Sequence, residues 1–184
     1  MAAGRGQRLW PHTAHHPKCL LPIAGKTVLE RLLCNIEAVG IREVTLVCGY
    51  HSKQIHSAID SYSGEINIHL TFNPFYSVAD NLISLWAARA QMDEDFVLIN
   101  GDNVFGPDVL PLLAHNRMNC CVMVRQTKHY DDDDMKVCIR DNQICRIGKK
   151  LSAAETSAES VGVMQFAGPG VHWLRCILEK CVMA

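Results

Sequence analysis

Residues 27–48 read T-V-L-E-R-L-L-C-N-I-E-A-V-G-I-R-E-V-T-L-V-C, and two different hydrophobic periods follow each other within them. Thr27 and Glu30 stand at the spacing in which a hydroxyl and a carboxylate cap each other's backbone N–H groups at a helix start. Val28, Leu29, Leu32, Leu33 and Ile36 then fall on one helical face, and Gly40 can leave the helix in a left-handed conformation. Glu43–Cys48 is a β-branched, apolar run of the kind that forms a buried strand. A helix followed closely by a buried strand is the repeating unit of an α/β sheet.

The same alternation continues outward. Ser52 to Asp60 reads as a short helix and Ile66 to Phe72 as a strand stopped by Asn73-Pro74. Asp80 is placed to cap a helix from Asn81 to Met92. Phe96 to Asn100 is a strand running straight into Gly101-Asp102. Pro107 suits the first turn of a helix reaching about Asn116, and Cys120 to Val124 is a further strand. The last third changes character: Met135–Arg140, a turn at Asp141-Asn142 and Gln143–Ile147 give an antiparallel hairpin pattern. Val161–Phe166 is one more strand, and a helix from Val171 to Cys181 follows the Gly168-Pro169-Gly170 breaker. The expected fold is therefore α/β, a three-layer αβα sandwich on a mostly parallel, Rossmann-like mixed sheet with a late antiparallel hairpin.

A chain of 184 residues, 48% hydrophobic and 20% charged, is expected to form a single domain, residues 1–184. Eighteen basic and nineteen acidic residues leave a net charge of −1, which gives no electrostatic footprint for nucleic acid or anionic membrane. Neither a signal segment nor a spanning run is visible, so the expected location is cytoplasmic. The nine cysteines form no C-x-x-C pair and the nine histidines no metal-binding spacing, so most thiols are expected to be buried or idle.

Chemistry concentrates in the first 30 residues. Gly4 and Gly6 permit close approach of backbone N–H groups to phosphate oxygens, and Arg5, Arg8 and Lys18 supply positive charge to the same anion. The run lacks the GK[ST] of a P-loop and the third glycine of a Rossmann fingerprint. In an open sheet, ligands collect beyond the carboxyl ends of the strands, which singles out Asp102.

Ala2, Ala3, Gly4, Gly6, Arg8, Leu9, Pro11, Thr13, Pro17, Lys18, Leu20, Pro22 and Gly25 stand at the spacings of L-A-A-G-x-G-x-R-L-x-P-x-T-x-x-x-P-K-x-L-x-P-x-x-G. This run resembles the opening of the nucleotidyltransferase family that couples phosphate monoesters to nucleoside triphosphates. The resemblance implies a glycosyltransferase-A-like fold, with Arg8 and Lys18 on the triphosphate and Asp102, after Asn100-Gly101, holding Mg²⁺. Asn73-Pro74-Phe75-Tyr76, Asp80 to Leu85, Asp133 to Val137 and Glu159 to Gly162 are similar to segments of one branch. That branch is the small cytidylyltransferases for phosphocholine, aminoethylphosphonate or inositol phosphate.

By that resemblance Ala2, Ala3, Gly4, Arg5, Gly6, Asn73, Asn81 and Gly101 serve the nucleotide, and Ser84, Lys136 and Glu159 the acceptor. The implied partners are CTP and a small phosphorylated acceptor. Asp131 to Asp133 read equally well as a solvated acidic loop. A sugar-1-phosphate nucleotidyltransferase using UTP, dTTP or GTP, and a non-catalytic nucleotide-binding relic, are the alternatives. The family has a K-A-I-I-L strand before A-A-G and a late W-x-E-I-D aspartate. Neither is found, so the resemblance implies a domain lacking its first strand and C-terminal segment, with an exposed edge that favours self-association, including homodimers.

Overall fold

The computed structural model describes residues 1–78, 81–114 and 116–183. Two short strands, β1 (Pro22–Ile23) and β2 (Lys26–Thr27), form a small hairpin whose turn uses Ala24 at φ 46 and Gly25 at φ 82. They lead into α1 (Val28–Ala38), which is capped as its sequence requires. Glu30 N–H donates to Thr27 Oγ1 at 3.1 Å, and Thr27 N–H donates to Glu30 Oε2 at 2.6 Å. Gly40 then turns the chain at φ 82. β3 (Glu43–Cys48), α2 (Ser52–Asp60) and β4 (Asn67–Phe72) follow, with β3 and β4 parallel and in register from Glu43–Asn67 to Cys48–Phe72.

The remaining elements are α3 (Asn81–Ala87), β5 (Phe96–Ile99), α4 (Pro111–Ala114), β6 (Cys120–Arg125), β7 (Lys136–Arg140), β8 (Gln143–Gly148), β9 (Ala158–Phe166) and α5 (Pro169–Met183). β9 organises the second sheet. Phe166 faces both Phe96 and Cys120, and Glu159 faces both Lys136 and Arg125, so β6 runs along one edge and β5 then β7 along the other. All of these pairings are antiparallel. β8 completes the sheet on β7 through the hairpin turn at Asp141 (φ 49) and Asn142 (φ 61), both left-handed as a two-residue turn demands.

The fold is mixed α/β in three layers. Leu46 and Cys48 pack against Leu29, Leu33 and Ile55 of α1 and α2. Val47, on the opposite face of the same strand, packs with Ala88, Val171 and Leu178 beside α3 and α5. Ile99 and Val163 extend the first face toward Leu110 and Leu113. The balance of the sheet differs from expectation: β3–β4 is the one parallel ladder among the described strands, because β9 takes the centre of the second sheet antiparallel to its neighbours.

Two helices also differ. A helix from Pro107 to Asn116 would need the residue 111 N–H, and proline has none, so α4 begins afresh at Pro111. The helix expected to reach Met92 ends at Ala87 and tightens into a 3₁₀ turn at Arg89–Gln91. The expected cap Asp80 lies outside the described residues. Pro169 and Gly170, read as a breaker, form the first turn of α5, where a proline is tolerated. The polar pair Glu159-Ser160 hid the start of β9.

Met1 and Ala2 bridge the two sheets. The Met1 amine donates to Ile99 O at 2.6 Å, Gly101 N–H donates to Met1 O at 2.6 Å, and Ala2 N–H donates to Val47 O at 2.7 Å. Ala2 also stands in parallel register with Cys48. Beneath them β3 and β5 face each other across a slot of about 650 Å³ lined largely by apolar side chains, among them Leu32, Val44, Leu46 and Val97. No helix among the described residues is long and apolar enough to cross a membrane.

Candidate active site

Above Met1 and Ala2, at the carboxyl ends of β3 and β5, the first residues of the chain form a cradle. Gly6 adopts φ 62, and its carbonyl accepts from Leu9 N–H at 2.9 Å, closing a 3₁₀ turn at Gln7–Leu9. Thr13, buried, donates its Oγ1 hydrogen to the same carbonyl at 2.8 Å. A Cβ on Gly6 would lie 3.0 Å from Thr13 Cγ2, so both conformation and space select glycine. Gly4 has open space around it and no left-handed φ; its lack of a side chain leaves the backbone bare. Tyr50 anchors the far end of the loop by donating to Ala14 O at 2.8 Å, and Arg5 lies 5.9 Å over its ring.

The cradle opens into a cavity of about 530 Å³. Ala2, Ala3, Gly4, Arg5, Gly6 and Arg8 line one side of it. Lys18, Asn81, Gly101 and Asp102 also line it. Lys18 Nζ donates to Asp102 Oδ2 at 2.5 Å, and both side chains are about two-fifths exposed, at 38% and 41%. Asp102 reaches this position because β5 ends at Ile99 and the turn after it is tied to Met1 O. Arg8 lines the same cavity, with its guanidinium drawn outward to Asp133 at 3.0 Å.

Four expected residues stand away from the cavity lining. Asn73 is fully buried, donating to Ser84 Oγ at 2.9 Å and accepting from Phe75 N–H at 2.9 Å, so this pair joins the end of β4 to α3. Lys136 and Glu159, cross-strand neighbours on β7 and β9, are both buried. Lys136 Nζ donates to Asp131 O at 2.7 Å and Lys149 O at 3.0 Å, while Glu159 Oε1 is gripped by Arg125. These contacts brace the start of β9 between β6 and β7, beyond the carboxyl end of β5.

Other residues that had been given no role join the lining, among them Cys19 and Ser77, together with Leu9 and Tyr76 from the stretches that carry the resemblance. The available signal for Tyr76 and Ser77 was their position just beyond β4, on the ligand side of the sheet. Tyr76 packs directly on Gly49, where a Cβ would come 2.5 Å from Tyr76 Cβ. Cys19 is buried, and burial above all pushes its thiol up to about 12, so it remains protonated.

Asp102 offers one partly exposed carboxylate facing the cradle. Mg²⁺ is commonly held by one or two carboxylates together with substrate phosphates and waters, so this donor set fits the ion. Among the described residues no group of three or more acidic, His or Cys side chains forms a closed metal cage.

Comparison with known proteins agrees with this geometry. The chain is 38% identical over 114 residues to CMP-5'-(3-aminopropyl)phosphonate synthase of Streptomyces rubellomurinus, covering 62% of this chain and 18% of that protein. It is 23% identical over 183 residues to CTP:phosphoglutamine cytidylyltransferase of Campylobacter jejuni, covering 91% and 71%. The inositol-1-phosphate CTP transferase structure from T. maritima superposes with a TM-score of 0.76 at 20% identity, covering 90% of this chain and 68% of that one, a likeness of fold. The chain spans between 18% and 38% of the length of three of the curated relatives it matches. The MobA-like NTP transferase domain matches residues 1–180, from the glycine cradle into α5, and the chain belongs to that family.

Proposed function

We propose that this chain transfers CMP from CTP to a small phosphate or phosphonate monoester. An acceptor oxygen attacks the α-phosphorus, the bond from that phosphorus to the bridging oxygen breaks, and pyrophosphate leaves with the electron pair. No protein nucleophile is required. Catalysis of this type consists of positioning and charge neutralisation. Backbone N–H groups of the Gly4–Gly6 cradle, Arg8 and Lys18 bind the triphosphate, and Asn81 and Gly101 face the nucleotide. Asp102 would hold Mg²⁺, which supplies neutralisation of phosphate charge. Lys136 and Glu159, with Ser84, shape the acceptor side.

The observation that carries this reading is the convergence of the glycine cradle, Lys18 and Asp102 on one open cavity of about 530 Å³. The CTP-using relatives favour cytidine as the base. A coupled pyrophosphate assay over four nucleoside triphosphates, with phosphocholine, aminoethylphosphonate and glucose 1-phosphate as acceptors, tests it. Turnover with CTP and a phosphorylated alcohol or phosphonate is expected. Preference for UTP or dTTP with glucose 1-phosphate would assign the chain to the sugar-phosphate class, and nucleotide binding without turnover would mark a relic.

A further inference from the structure

Asp133 sits at the centre of a charge bridge that the proposed transfer does not use. Its Oδ2 lies 3.0 Å from Arg8 Nη1, and its Oδ1 accepts from Lys149 Nζ at 3.2 Å. Arg8 belongs to the cavity lining. Asp133 lies outside that lining, on the connection between β6 and β7, and Lys149 directly follows β8. One carboxylate therefore ties the phosphate cradle to the β7–β8 hairpin.

The turn that presents Asp133 is braced from within. Asp131 N–H donates to Asp134 Oδ2 at 2.8 Å, and Asp134 N–H donates to Asp131 O at 3.2 Å. The buried Lys136 ammonium closes the base of the turn through the carbonyls of Asp131 and Lys149. Asp133 is thus held out toward Arg8 by a folded turn. The bridge itself is open to water, with side-chain exposures of 71% for Arg8 and 57% for Asp133. An exposed pair is weak and screened by salt. A triphosphate offers the same guanidinium more charge and a fork-matching pair of oxygens.

We infer that Asp133 is a stand-in anion, holding Arg8 at the rim of the cavity until a phosphate group of the nucleotide takes its place. The inference rests on the cavity's being a triphosphate site. Exchange of partners releases the 131–134 turn from the cradle while leaving Asp133 its contact with Lys149. Nucleotide binding is thereby felt at β7, where Lys136 lies across from Glu159. Asp133 acts on affinity and on the order of events; it touches no reacting atom.

Calorimetric titration of tripolyphosphate and of CTP into the wild type, Asp133→Asn, Arg8→Ala and the double variant tests this, with hydrogen exchange of residues 131–136 read alongside. Asp133→Asn should bind either ligand about two- to five-fold more tightly than the wild type, the range set by the strength of an exposed ion pair. The gap should close in high salt and vanish in the Arg8→Ala background. Ligand should speed exchange in the 131–134 turn of the wild type and leave the already faster exchange of Asp133→Asn unchanged.

Equal or weaker binding by Asp133→Asn overturns the inference. So does slower exchange in the turn on binding, or a wild type that binds neither polyphosphate. A wild type that binds CTP and shows this pattern, yet releases no pyrophosphate with any acceptor, refutes the transfer reading and leaves the partner exchange standing.

Discussion

Lys18 and Asp102 are 84 residues apart in the chain, and Lys18 Nζ lies 2.5 Å from Asp102 Oδ2. Lys18 begins a short 3₁₀ turn after Pro17, and Asp102 follows β5, so two unrelated elements bring opposite charges to the floor of one cavity. Each neutralises the other, and each is exposed enough to change partner.

Removing one member of this pair has a different consequence from removing the other. Asp102→Asn should leave the fold intact and lower Mg²⁺-dependent turnover by about 10²–10³, the cost of a lost preorganised charge contact. Lys18→Ala should weaken triphosphate binding by about 1.5–3 kcal/mol, the worth of a charge-assisted hydrogen bond. Pyrophosphate release reads the first and calorimetry with CTP the second. Near-normal turnover of Asp102→Asn would remove the metal assignment.

Gly101 is fixed by space. A Cβ there would lie 2.6 Å from Met1 O and 2.8 Å from Ala2 Cβ. Backbone cannot yield as a flexible side chain would, so Gly101→Ala should cost about 1–3 kcal/mol as overpacking and shift Asp102. Urea denaturation should show the lost stability, and turnover should fall further than the folded fraction does. A variant with unchanged stability would show that the bridge from Met1 to the β5 turn adapts freely.

The cap of α1 offers a test in the acid range. Thr27→Ala should cost about 1 kcal/mol in denaturant unfolding, as loss of an N-cap hydroxyl does. The Thr27 backbone N–H, then its hydroxyl, hold the Glu30 carboxyl below its ordinary value. A depressed carboxylate contributes stability above its unfolded value and loses it as pH falls toward the folded one. The stability gap between the wild type and Glu30→Gln should therefore be present at neutral pH and close on acidification. A gap that widens in acid would contradict this.

Below the Met1–Ala2 bridge, the slot between β3 and β5 separates two edges that pair with no further named strand among the described residues, and its lining is largely apolar. A strand edge is costly wherever its backbone groups lack partners. Fusing about six apolar, β-forming residues ahead of Met1 should raise the melting temperature by several degrees, whereas a Gly-Ser extension of equal length should not. Amides of β3 and β5 should gain exchange protection with the apolar extension alone. Equal effects of the two extensions would show that the slot is not a strand seat.

Local chemistry determined much of this protein from sequence alone. The Thr27–Glu30 box, the Gly40 stop, the runs Glu43–Cys48 and Phe96–Ile99, and the Asp141-Asn142 turn specify their elements because neighbouring residues satisfy their own backbone groups. The glycine cradle and Lys18 were legible for the same reason, since residues 4–18 form one continuous piece of chain. Long-range pairing was not. That β9 takes the centre of an antiparallel sheet, that Asn73 and Ser84 satisfy each other in the interior, and that Asp133 pairs with Arg8 are decided by which surfaces meet. Only the tertiary structure could settle them, because the free energy of burying a strand edge or pairing a charge depends on the partner, and the partner lies far away in the chain.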